Sequence, residues 1–317
     1  MKLSRYRVCG ACVPVALVLA RLRRTPLATA DAARFARGIR CLVLGVMCLA
    51  GCGRQQIERV EWPIMGTIAA VQVRGYPDEW GHVSAYAMGV FKDVSEALNA
   101  HVSTSELSRL AMLDDGEILE KCDAQMKPCY EAAFKLMHES GSAFNPRWKG
   151  TNTLDLGAIA KGFAVDLASS MAPGIGPIDA IIDLGGNLKA LRSEDGSYRP
   201  WRTGVRDPFG DGFAAVVELR EGEALATSAT YYRGSHIYDG RTGLAVSNGV
   251  ASVTVLCNSA MWADGLSTTL FVLGPEEGKK FLDDKLKLLV GDMEVSALWI
   301  MDGGRQEIYG NVRFQGN

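Results

Sequence analysis

Apolar and polar positions change period several times along the chain, and each change marks an element. From Ile57 to Val73 the apolar residues alternate, with interruptions at Pro63 and at Met65-Gly66-Thr67, which predicts one strand or a hairpin. Between Asp78 and Ala100, Val83, Ala87, Val90, Phe91, Val94 and Leu98 recur at three- and four-residue steps, which predicts a helix. Thr104 to Leu110 predicts a second, short helix capped by Thr104 or Ser105, and Met126 to Glu139 a third. Ser140 to Pro146 reads as a turn. Leu154 to Asp166 then runs from a short alternating stretch through Gly157 into a helical pattern carried by Ala160, Phe163, Ala164 and Leu167, so a strand, a tight turn and a helix are expected there. Ile178 to Asp183 is an apolar run closed by Leu184-Gly185-Gly186-Asn187. Short alternating runs continue to Val255, as antiparallel strands do. Ala260–Leu273 and Pro275–Leu286 predict helices, and 297–301 and 307–314 predict closing strands around Asp302-Gly303-Gly304. The pattern as a whole predicts an α+β fold with mainly antiparallel sheet and packed helices.

The first residues do not continue this pattern. Residues 1–24 are basic at both ends of a short apolar run, Val13 to Ala20, which is too short to span a bilayer. Arg34, Arg37 and Arg40 precede an apolar stretch from Cys41 that ends in Leu49-Ala50-Gly51-Cys52. A basic stretch, an apolar core and small residues describe a secretory signal. The ending resembles the lipoprotein box of bacteria, in which the Cys is lipidated. Residues 1–52 are therefore expected to be a signal and lipoprotein leader, with Cys52 as the lipidation site, and 53–317 the working domain. The protein is expected to be exported and held at a bacterial membrane, facing the periplasm. In such an oxidising compartment Cys122 and Cys129, which bracket a plausible loop, could form a local disulfide or remain two free thiols. No His stands at metal spacing to them, which argues against zinc.

With 317 residues the chain can bury a sizeable core, and a net charge of −2 gives no electrostatic case for nucleic acid. Candidate chemistry lies in three clusters. In Asp155-Leu156-Gly157-Ala158-Ile159-Ala160-Lys161-Gly162, the expected helix start offers free N–H groups and a positive dipole end to phosphate, and Lys161 adds a full charge. Asp155 stands just before the turn, where a carboxylate can meet a metal or a hydroxyl. Read alone, the stretch is equally a packing turn with a surface Lys and a capping Asp. In Ala263 to Leu270, Asp264, Ser267 and Thr268 share one helix face, and a carboxylate with two hydroxyls suits Mg²⁺. Read alone, it is a helix cap with incidental hydroxyls. The third cluster joins Ala226-Thr227-Ser228-Ala229 to His236-Ile237-Tyr238-Asp239-Gly240-Arg241-Thr242-Gly243. His236, one of 4 His, is either a base near neutral pH or a structural imidazole.

Together with Asp183-Leu184-Gly185-Gly186-Asn187 and Gly204-Val205-Arg206-Asp207-Pro208, these clusters form an ordered series that resembles the FAD:protein FMN transferases, the ApbE family. The match extends over roughly residues 60 to 310. The resemblance implies a T-fold-like α+β architecture with FAD and Mg²⁺ in a cleft. The implied activity is transfer of FMN from FAD to a Thr hydroxyl of a target protein, with a phosphoester formed and AMP released. Implied targets are flavin-bearing subunits of membrane redox complexes. Carried over by motif, the carbonyl of Ala158 with Asp264, Ser267 and Thr268 would hold the metal. Met65, Ala143, Phe144, Asn145, Asp155, Lys161 and Tyr238 would line the FAD site. Beside the carried-over residues, His236 is the candidate base, and Asp264 is expected to be catalytic as well. The chain departs from the family pattern at Asn145 (usually Asp), Ala229 (usually Gly) and Gly240 (usually Pro). It lacks an aromatic-bearing insert near Ser103-Thr104-Ser105, and its 146–154 segment is much shorter. Two other functions use the same residues: an Mg²⁺-dependent FAD pyrophosphatase, in which water replaces the Thr hydroxyl, and a non-catalytic flavin-binding lipoprotein.

Overall fold

The computed structural model describes residues 2–3, 57–74, 80–170, 179–191, 199–230, 237–311 and 314–315. The chain divides into two compact units, Met1–Arg5 with Glu58–Asn317, and Tyr6–Ile57, and only Ile57 of the second is described. The expected leader, Cys52 included, thus lies outside the described residues apart from Lys2 and Leu3.

Strands β1 (Lys2–Leu3), β2 (Ile57–Ile64), β3 (Thr67–Arg74), β4 (Ala180–Leu184), β5 (Asn187–Ala190), β8 (Ala224–Ala229), β11 (Val250–Cys257), β12 (Ser296–Met301) and β13 (Gln306–Tyr309) form one sheet in the order β1-β2-β3-β4-β5-β8-β11-β12-β13. The β3–β4, β4–β5, β5–β8, β8–β11, β11–β12 and β12–β13 pairs are all antiparallel. A second sheet joins β6 (Trp201–Arg206), β7 (Phe213–Leu219) and β14 (Phe314–Gln315), and β9 (Tyr238–Asp239) pairs with β10 (Leu244–Ala245). The expected 57–73 segment is a hairpin: Met65 and Gly66 take φ of 49° and 67°, the left-handed pair that a two-residue turn between twisted strands requires.

The helices are α1 (Trp80–Ala97), α2 (Glu106–Leu110), α3 (Asp115–Lys121), α4 (Lys127–Glu139), α5 (Ala160–Ser170) and α6 (Ala260–Val290). The α1 residues picked out by period, Val83 to Val94, with Leu98 just past its end, are all buried. Ser105 is the cap of α2, accepting the Ser108 N–H at 3.0 Å. α6 is two helices in one line, broken at Gly274 (φ 72°, ψ 178°) ahead of Pro275. Pro275 has no N–H for the carbonyl four residues back. The side-chain amide of Asn248 replaces it, donating to Phe271 O at 2.9 Å and to Val272 O at 3.2 Å.

One face of the large sheet carries Ala224, Ala226, Val253, Val255, Ala297 and Trp299 into a core shared with α1, α4, α5 and α6. The strand partners alternate, so Leu188, Leu225, Leu256, Leu298 and Ile300 form the opposite face, which is buried as well. Trp201, Val205, Ala215, Val217 and Leu219 are the buried residues of β6 and β7 in the small sheet. It is tied to the large one where the Arg74 guanidinium lies 3.8 Å over the Trp201 ring and Trp201 Nε1 donates to Asp179 at 2.8 Å.

One expectation fails. Residues 154–156 form no strand, although Leu154 and Leu156 are buried and Asp155 between them is half-buried. The alternation is real, but it belongs to an extended segment fixed by a turn: Asp155 N donates to Pro146 O at 2.8 Å. Cys122 and Cys129 are free thiols, the first half-buried and the second buried, and burial pushes both thiol pKa values up.

Candidate functional site

The centre of the site is the crossing of α5 and α6. A Cβ placed on Gly162 would sit 2.1 Å from Ala260 O and 2.7 Å from Asp264 Cβ, so only glycine lets the helices come this close. That approach brings Gly162 N to within 3.0 Å of Asp264 Oδ2. Lys161, one residue earlier, reaches both carboxylate oxygens at 3.3 and 3.4 Å and donates to Gly157 O at 3.1 Å. Asp264 is 5% exposed. Burial raises its carboxyl pKa, and the Lys161 charge and the Gly162 N–H partly offset this. Those two donors favour the charged form, while burial, the larger effect, favours the neutral one.

One turn further along α6, Ser267 is fully buried and Thr268 half-buried. Ser267 Oγ donates to Asp264 O at 2.9 Å. Ser228, on β8, lies 2.8 Å from Ser267 Oγ and 3.0 Å from Thr268 Oγ1. The three α6 oxygens are therefore neighbours on one face, as their spacing predicts, but each has a protein partner. Motif reading flagged Thr227-Ser228 without a role. Strand alternation gives one: Ser228 faces the helices, while Thr227 points the other way and pairs with Thr254 at 2.9 Å.

The turn before α5 is built by Asp155. It accepts the Gly157 N–H at 2.9 Å and pairs with Lys149 Nζ at 3.0 Å. Ala158 lies in this same turn, half-buried. On the far side of Lys149, the Ala143-Phe144-Asn145 turn meets the end of β9. Ala143 and Phe144 are buried, so they shape the site through the backbone. Gly240 N donates to Ala143 O and Asn145 Nδ2 to Gly240 O, both at 3.2 Å. Asn145 and Gly240 therefore depend on each other here. An Asp at 145 has no N–H to give Gly240 O, and a Pro at 240 has none to give Ala143 O. Tyr238 stacks on Trp148, with ring centroids 4.0 Å apart and planes 13° from parallel.

Met65 sits at the β2–β3 tip, partly buried against the core. It and Ser142 (φ 67°) are the two non-glycine residues with positive φ among the described residues, and both lie at turns that carry candidate positions. Such strain collects where the backbone serves a site. His236 lies outside the described residues. Among the described residues no group of three or more His, Cys, Asp or Glu could hold a metal. Any cation here would rest on Asp264 and neutral oxygens. Cavities of about 410 Å³, beside Asp239, Arg241 and Glu277, and about 600 Å³, beside Cys257 and Asp292, do not include Lys161 or Asp264.

Residues 148–290 match the model of the ApbE family. The chain is 44% identical over 132 residues to the FAD:protein FMN transferase of Rhodobacter capsulatus, covering 39% of this chain and 25% of that protein. It is 37% identical over 134 residues to the FAD:protein FMN transferase of Vibrio cholerae, covering 39% of this chain and 40% of that protein. These matches thus span a quarter to two-fifths of the length of the two relatives. Among solved structures, the flavin transferase ApbE from Vibrio cholerae superposes with a TM-score of 0.62 over 81% of this chain and 98% of that one, at 22% identity. The apo flavinyl transferase ApbE of Pseudomonas stutzeri gives a TM-score of 0.61 over 81% and 95%, also at 22% identity. In fold along most of its described length, and in sequence across residues 148–290, this chain resembles the ApbE family.

Proposed function

We propose that this chain is an FAD:protein FMN transferase that uses Mg²⁺ and a Thr hydroxyl of its target. The observation that carries the proposal is the buried Asp264 carboxylate, held by Lys161 Nζ and Gly162 N with the Ser267 and Thr268 hydroxyls one turn away. A buried charge is expensive unless it is paired, and a fold that needed only packing would place an apolar residue there. The donor set fits a hard cation in kind: one carboxylate, two hydroxyls and the Ala158 carbonyl, all oxygen. Asp264, Ser267, Thr268 and Ala158 would hold Mg²⁺, whose charge would offset the charge on the FAD diphosphate. Lys161 supplies a second positive charge at the same place. The target hydroxyl forms a bond to the FMN phosphorus, its proton passes to a base, and the bond to AMP breaks. His236 is the candidate base, in a role that typically contributes ~10²–10⁴-fold. Lipidation at Cys52 would hold the enzyme near targets in membrane redox complexes.

The test uses the full chain with FAD, Mg²⁺ and an acceptor domain carrying a Ser/Asp-Gly-Ala-Thr site. Mass spectrometry of the acceptor should show a covalent FMN adduct, with AMP released in equal amount. Asp264→Ala should lower the rate by at least ~10²-fold, in line with loss of one electrostatic group at a phosphoryl centre. AMP and free FMN without adduct would make the chain a pyrophosphatase, and intact bound FAD would make it a binder.

A further inference from the structure

Trp148 and Tyr238 lie closer and flatter than paired side-chain rings usually do. Aromatic side chains prefer offset or edge-to-face contacts with centroids ~4.5–7 Å apart, whereas these stand 4.0 Å apart at 13°. Both residues are half-buried, so the stack reaches solvent instead of closing inside the core. The ammonium of Lys149 lies over the Trp148 ring, 4.8 Å from its centroid. That ammonium also pairs with Asp155, and the Lys149 side chain is 40% exposed, so its position is cheap to change. Asp155 holds the Gly157 N–H, Gly157 O accepts from Lys161, and Lys161 faces Asp264. The aromatic stack and the charged cluster are two ends of one unbroken series of contacts.

The stack is also held firmly. Trp148 N donates to Asn145 O at 3.2 Å. The neighbouring Arg147 guanidinium is clamped by Asp115, Ala111 O, Leu113 O and Thr151 O at 2.8–3.1 Å. Tyr238 is fixed by its strand pairing with Ala245, and two residues on, Gly240 is tied to Ala143 and Asn145. A ring platform set in advance loses little freedom when it takes up a ligand.

We propose that Trp148, backed by Tyr238, is the surface on which a flat aromatic ring of the dinucleotide substrate stacks, with Lys149 leaving the ring to pair with phosphate. The assignment rests on the reading of this chain as an FAD-using protein. A ligand with an aromatic ring joined to a diphosphate matches both ends of the series: ring on Trp148, anion toward Lys149 and Lys161.

The experiment titrates FAD into the full chain and follows flavin fluorescence anisotropy, for wild type, Trp148→Leu, Trp148→Phe and Phe209→Ala. Leu keeps apolar bulk without a π face, Phe keeps a ring, and Phe209 is 55% exposed on the β6–β7 connection, away from the stack. Trp148→Leu should weaken FAD at least about fivefold and Trp148→Phe by less, as expected when one stacked base is lost or kept. Phe209→Ala should bind as wild type does. Hydroxyl-radical footprinting of the wild type needs no variant to fold, and saturating FAD should protect Trp148. Equal affinity in Trp148→Leu and wild type, or equal labelling of Trp148 with and without FAD, overturns the assignment and leaves the transferase reading standing. A wild type that fails to bind FAD overturns both.

Discussion

Asp183 lies in β4, and its carboxylate accepts the Gly186 N–H at 2.8 Å across the tight turn to β5. Part of the residue reaches solvent, yet burial pushes its carboxyl up to about 6, against which the Gly186 N–H and Arg59 pull down. The native state therefore holds this proton more tightly than the unfolded chain, whose carboxyl titrates near 3.8. Stability from this group is fully present below the unfolded value and is lost as pH rises through about 6. The gap is worth at most about 3 kcal/mol. Asp183→Asn keeps an acceptor for Gly186 without the charge. It should raise the melting temperature by a few degrees at pH 7, flatten its fall between pH 4 and 6, and leave it unchanged near pH 3. Thermal unfolding across that range checks this, and a variant less stable than wild type at pH 7 would refute it. The motif Asp183 to Asn187 was legible as a unit in the sequence. The perturbed acid within it was not, because the cause is the packing of a neighbouring hairpin carrying Arg59 and Glu61.

At the scale of elements, the site depends on how α6 begins. Asp166, near the end of α5, accepts from Ser259 Oγ at 2.5 Å, from Ala260 N at 2.9 Å and from Met261 N at 3.0 Å, and pairs with Lys189 Nζ at 2.6 Å. One helix thus caps the next, and satisfies N–H groups that have no partner within α6. Asp166→Ala should cost about 2 kcal/mol, at the upper end for a cap because a paired Lys189 is also left alone. It should also slow the proposed FMN transfer, since Asp264, Ser267 and Thr268 all ride on the first turns of α6. Faster hydrogen exchange at residues 260–262, with a lower melting temperature, would bear this out, and unchanged exchange there would count against it. Elements of this kind were read from sequence where their period was long enough to show. α1 was plain because its buried positions recur over five turns. α3 escaped because it is 7 residues long with only Ile118 buried. Its trace in the sequence was the Asp114–Glu117 capping box, a local signal with no apolar face to support it. The 154–156 stretch was misread for the opposite reason: two buried leucines alternate with a polar residue, but no strand lies beside them.

The whole molecule decides what no segment can. The sequence motifs that match the ApbE family fall within 148–290, yet β4 in that span is paired on β3, and β11 on β12, both outside it. Lys161 and Asp264 were legible because both stand in motifs. Ser228 as their neighbour's partner, and Trp148 on Tyr238, emerge only from a sheet register and a turn that close over long sequence separations. The same non-local construction makes β12 indispensable. All eight residues of β11 are buried, and β12 covers its outer edge. Trp299 of β12 is fully buried, donates to Leu270 O at 3.1 Å, and fills the space beside Gly278, where a Cβ would stand 2.9 Å from its ring. Removing residues 296–317 takes away Leu298, Trp299 and Ile300, each worth roughly 1.5–3 kcal/mol of burial, and leaves an apolar strand with an open edge. Against a total stability of about 5–15 kcal/mol, that loss is decisive. The shortened chain should lose its cooperative thermal transition, bind a hydrophobic dye and lack the proposed FMN transfer. Removing 306–317 alone takes only β13 and β14. β13 alternates exposed and half-buried residues, and its anchors are the Lys279–Glu307 and Tyr309–Asp283 contacts. That shorter deletion should keep the cooperative transition at a lower temperature. A 1–295 chain that still melted cooperatively and bound FAD would show that α6 and β11 close the core without β12.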